Sequence, residues 1–107
     1  MSESQRIRVV LSNISPPDAP RLARQLVEER LAACVNIIPG VRSFYRWQGK
    51  LYDDMECTLL CKTTEAGLPA LTERLREIHP YELPEIITLE VTGGLPAYLE
   101  WVAGSVG

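Results

Sequence analysis

The chain has 107 residues, enough for one domain with a core of its own and no need of disulfides. Its net charge of −3, with acids and bases interspersed, excludes the basic face that non-specific nucleic-acid binding requires. No apolar run approaches the ~18 residues of a membrane span, and the start MSESQRIR carries no secretory signal, so a cytoplasmic protein is expected.

Residues 1–5 read as a loose N-terminal tail. IRVVL at 7–11 is a short strand, apolar on both faces and so expected at the centre of a sheet. The loop SNISPPDAP follows. It offers two helix starts, Ser15 with Pro16 and Asp18 in a capping-box pattern, or Asp18 itself as N-cap. Residues 21–31 form a helix, with Leu22, Ala23, Leu26, Val27 and Leu31 as one apolar stripe.

The stretch CVNIIPGVRSFYRWQGKLYDDMECTLLCK at 34–62 reads as two long strands joined by a turn at Gln48-Gly49. Pro39-Gly40 interrupts the first strand and marks a bulge or bend. In the second, Met55, Cys57, Leu59 and Cys61 alternate with Glu56, Thr58, Leu60 and Lys62, as in a strand packed on one face. Each arm would be about 43 Å long if straight, against a domain diameter of roughly 35 Å. The hairpin therefore overhangs its own domain. Its tip carries Phe44, Tyr45, Trp47, Leu51 and Tyr52, which need a partner to cover them, so an oligomer is expected.

The three cysteines have no metal-site spacing. Cys57 and Cys61 lie four apart on one strand, roughly 13 Å, too far to bridge, so reduced thiols are expected. A second helix spans 68–79 and ends at Pro80, which biases His79 out of the helical region. HPYELPEI leads into a strand over 86–91. Gly93-Gly94 breaks the chain, and a last helix covers 95–102. The order β-α-β-β-α-β plus a terminal helix is the ferredoxin-like arrangement, an α+β domain with two helices on one face of an antiparallel sheet. The other face is left for neighbouring subunits.

Several motifs in this order resemble the CutA family, the divalent-cation tolerance proteins. They are LAACVNIIPG at 31–40, YRWQGK at 45–50, Lys62-Thr63-Thr64, HPYELPEI at 79–86 and YLEW at 98–101. The resemblance covers nearly the whole chain. It implies a homotrimer, similar in architecture to the PII signalling proteins, in which the hairpin reaches into the next subunit. It also implies copper or another divalent cation as ligand, and no catalytic reaction. Copper-binding members carry a cysteine at the end of the first strand and two adjacent histidines before Pro-Tyr. Here those positions hold Ser12 and Ile78-His79, so the resemblance implies weak metal binding with His79 as principal ligand.

His79 is the only histidine, and imidazole suits copper; its bland role is to interact with the last carbonyls of a helix. Lys62, Tyr81 and Glu85 are the remaining polar residues of the motifs, with Tyr45 and Trp47 as an aromatic wall. Together they form a candidate cleft between subunits for a small anionic effector, as in a PII-like sensor. The loop at 81–84, stiffened by Pro80 and Pro84, suits either a preformed pocket wall for a ligand or a rigid connector. The bland alternative makes Lys62 and Glu85 a salt bridge, and Tyr45 and Trp47 interface anchors. No Ser/His/Asp or Cys/His set and no phosphate-binding glycine motif is complete.

Overall fold

The structure, a computed structural model, describes residues 5–107. Of the tail expected over residues 1–5, residues 1–4 lie outside the described residues and Gln5 lies within them. The elements are β1 (Ile7–Ile14), α1 (Ala19–Glu28), β2 (Cys34–Trp47), β3 (Lys50–Thr64), α2 (Leu68–Ile78), β4 (Ile87–Glu90) and α3 (Pro96–Ser105). The sheet order is β2-β3-β1-β4 with every neighbour antiparallel, which is the ferredoxin-like topology. β1 is central as its composition requires.

The pairing register divides the sheet into two unlike faces. Val10 lies opposite Cys61, Ser12 opposite Leu59 and Ile14 opposite Cys57, so these six share a face. All are buried, and Leu22 and Leu26 of α1 with Leu71 and Leu75 of α2 close the core over them. The opposite face carries Val9, Leu11 and Asn13 beside Lys62, Leu60 and Thr58. α3 covers only one end of it, where Val102 packs with Ile7 and Ala33. Toward the other end Ile38, Ile87 and Leu89 stay 44–50% exposed.

The hairpin forms as its composition demands. The register slips between Ile38 and Val41, with Gly40 at φ 71°, so Pro39-Gly40 is the bulge. The turn at the tip has positive φ at both Gln48 (50°) and Gly49 (79°), the primed geometry that matches strand twist. The molecule is 45 × 25 × 22 Å with a radius of gyration of 14.4 Å, above the ~13 Å of a compact chain this long. The excess is the hairpin, whose Phe44, Leu51 and Met55 are 58–64% exposed.

Three local expectations are corrected. A 3-10 turn at Pro16–Asp18 precedes α1, and α1 begins at Ala19 rather than 21. Neither Ser15 nor Asp18 caps a backbone amide through its side chain; the Ser15 hydroxyl donates to the Asp18 carboxylate at 2.5 Å instead. α1 also stops at Glu28 rather than 31, because Arg30 turns left-handed (φ 61°) and the Leu31 amide bonds back to the Leu26 carbonyl at 3.0 Å. The buried stripe is therefore Ala19, Leu22, Ala23 and Leu26, and Val27 faces outward.

Candidate functional site

A cavity of about 520 Å³ runs along the inner side of the hairpin. That is the size of a small-molecule site. Three elements build it. β2 contributes Ser43, Tyr45 and Trp47, every second residue, with Phe44 beside them. Residues 81–85 contribute Tyr81, Glu82, Leu83 and Glu85, and the sheet floor contributes Asn13 and Glu56. The bulge matters here. It lets Val41 pair with Glu56, so Ser43 and Tyr45 share Glu56's face of the ribbon.

His79 holds one wall in place. It follows the last turn of α2 in an extended conformation (φ −70°, ψ 134°), as Pro80 dictates. Its Nδ1 accepts the Tyr81 amide at 3.1 Å, which fixes the proton on Nε2, and Nε2 donates to the Asn13 carbonyl at 3.0 Å. Its ring also meets Tyr81 edge-on at 4.7 Å. Burial pushes its pKa down, against the opposing pull of the Asn13 carbonyl and Glu56. The neutral ring is thus a strut between β1 and the wall. Both nitrogens are engaged, so in this conformation no lone pair is free for a metal ion. Among the described residues, no three His, Cys, Asp or Glu side chains gather as a metal site.

Glu56 lies under that wall. It is 6% exposed, and Tyr81 donates its hydroxyl to Glu56 Oε2 at 2.6 Å. Burial first, then this bond, raise the Tyr81 phenol. Across the cavity, partial desolvation raises the Glu85 carboxyl although the residue is exposed, and the Glu56 charge adds to the shift. Tyr45 stacks on Tyr52 at 5.2 Å and donates to Asp54, which pushes its phenol up to about 12.

Of the residues singled out from sequence, Tyr45, Trp47, Tyr81 and Glu85 come together in this cavity, and His79 braces it. Lys62 does not join them within the chain. It lies six residues from Glu56 on β3, about 20 Å away. There it lines a separate depression against α3, and its ammonium donates to the Tyr98 hydroxyl at 3.1 Å rather than pairing with Glu85. The hydroxyls beside it are also committed: Thr63 donates to the Leu31 carbonyl at 2.9 Å and Thr64 accepts the Gly67 amide at 3.1 Å. Sequence reasoning missed Asn13, Ser43 and Glu56, whereas Glu82 and Leu83 lie in the 81–84 loop that it had offered as a pocket wall. The signal for Glu56 was its place opposite Cys57 in the strand alternation, a carboxylate on the face that also carries Lys62.

Fold and cavity together define a ferredoxin-like α+β protein with a ligand-sized cavity beneath a projecting arm. Residues 8–105 match the CutA1 divalent ion tolerance protein family, and the chain belongs to that family. The divalent-cation tolerance protein CutA of Thermus thermophilus is 48% identical over 92% of this chain and 97% of its own length. Protein CutA of Mus musculus is 51% identical over 78% of this chain, which spans only 48% of that longer relative. Among solved structures, the PII-like protein CutA from a Nostoc species superposes with a TM-score of 0.90 at 40% identity, over 94% of this chain and 97% of that one.

Proposed function

We propose that this protein is a non-catalytic, PII-like sensor: a cytoplasmic homotrimer whose hairpin cavity binds a small effector and whose role lies in tolerance of divalent cations. The observation that carries the reading is the cavity itself. It is preformed, walled by Tyr45, Trp47 and Tyr81, and braced by the His79 bonds and the flanking Pro80 and Pro84. The half-exposed sheet face and the uncovered arm support an oligomer, and the family resemblance supports three subunits. The test is a thermal-shift screen of tag-free protein with small effectors, alongside light scattering for mass. A trimer stabilised by one ligand class, with the shift lost in Tyr81→Ala, is expected. A monomer, or no shift with any ligand, overturns the reading.

A second reading follows the family description: weak binding of copper or another divalent cation with His79 as principal ligand. It requires the ring to leave Asn13 or Tyr81 first. A copper titration of wild type against His79→Ala tests it, and equal curves reject His79 as the ligand.

A further inference from the structure

We propose that the hairpin cavity takes a cationic group, an ammonium or guanidinium, and not an anion. The inference rests on the cavity reading above and names its ligand chemistry. Glu56 is the carrying observation. It is more than nine-tenths buried, it lines the cavity, and it accepts a hydrogen bond from the neutral Tyr81 hydroxyl. Among the described residues no Lys, Arg or His forms an ion pair with it. A buried carboxylate ordinarily sits beside a cation or a metal, because its desolvation is otherwise uncompensated.

The rest of the lining has the same preference. Glu82 and Glu85 are the other carboxyls that line it, and among the described residues no lysine or arginine does. An anion entering would add charge of the same sign to a site already held by carboxylates. Phe44, Tyr45, Trp47 and Tyr81 line the cavity with Asn13, Ser43 and Leu83. Aromatic rings attract ammonium and guanidinium groups electrostatically and suit them better than a strongly hydrated metal ion. A carboxylate floor under aromatic walls is a complementary box for one such group. The group has two sources, a free organic cation or a Lys or Arg side chain of a second copy of this chain.

The experiment uses the full-length, tag-free protein at fixed concentration. Calorimetry and thermal shift are run with choline chloride and agmatine, with sodium chloride matched for ionic strength, and with citrate and ATP as anions. Wild type is compared with Glu56→Gln and Glu85→Gln, and each variant is checked for fold by circular dichroism and for mass by light scattering. Glu85→Gln keeps the test valid if Glu56→Gln fails to fold, since Glu85 is exposed. Binding of agmatine or choline to wild type, weakened at least tenfold in a folded variant, supports a free cation. No binding by wild type, with a folded variant that loses its assembly, supports a cation supplied by a second copy and overturns the free-effector reading. Citrate or ATP binding that Tyr81→Ala abolishes, without cation binding, overturns the charge assignment and leaves the effector cavity standing. No ligand binding, with assembly unchanged in both variants, overturns the assignment and the effector reading together.

Discussion

Ser12 is buried completely on the helix-covered face of β1, and its hydroxyl has no hydrogen-bond partner among the described residues. A buried hydroxyl without a partner costs stability, so Ser12→Ala should stabilise the protein by about 1 kcal/mol. Denaturant unfolding at equal protein concentration would read this, and a lowered midpoint would contradict it. His79 makes the opposite case, a buried polar ring with both nitrogens bonded. Its pKa is lowered on folding, so the unfolded chain binds the proton more readily than the native one. Its contribution is therefore present above the unfolded value of ~6.5 and lost as pH falls through the lower, folded value. Protonation also removes the acceptor for the Tyr81 amide. Stability should fall between pH 7 and 5, and His79→Asn should flatten that slope. An unchanged slope would assign the loss to other groups. Glu85 titrates in the opposite sense, since its raised pKa favours the folded state at acidic pH.

At the scale of the element, the hairpin is set by two irregularities. The bulge at Pro39-Gly40 changes which β2 residues face the cavity, and the tip turn holds Gln48 at a φ of 50°. A glutamine in that region is strained, whereas asparagine adopts it readily. Gln48→Asn should stabilise the protein by about 0.5 kcal/mol, and Gly49→Val should destabilise it by more than 1 kcal/mol. Equal midpoints for both variants would mean that the tip contributes nothing to folding. The bulge also explains why the hairpin was legible in sequence and its inner face was not. Alternation within YRW and DDMECTLLC identifies strands, but which side of β2 meets Glu56 depends on one inserted position.

For the whole molecule, the decisive feature is what the single chain leaves uncovered. Ile38, Ile87 and Leu89 on the open sheet face and Phe44, Leu51 and Met55 on the arm form apolar surface that a monomer rarely exposes. Leu89→Asp should weaken assembly at least tenfold in sedimentation experiments, because it would bury a carboxylate against an apolar neighbour. A mass unchanged on dilution would show that β4 lies outside the interface.

The sequence by itself determined the element order, the central place of β1, the long hairpin with its bulge and turn, and the extended conformation of His79. These follow from periodicity, proline and glycine chemistry, which act over a few neighbours. Tyr45, Trp47, Tyr81 and Glu85, singled out for a cleft between subunits, line one cavity within the chain. Only the tertiary structure decided that Lys62 lies apart with Tyr98, that His79 is a strut with both nitrogens bonded, and that Glu56 is buried with no cation paired to it among the described residues. Those three outcomes depend on strand register and on how the loop after α2 folds over β1. Both are fixed by contacts between residues far apart in the chain, such as the 66 positions between Asn13 and His79.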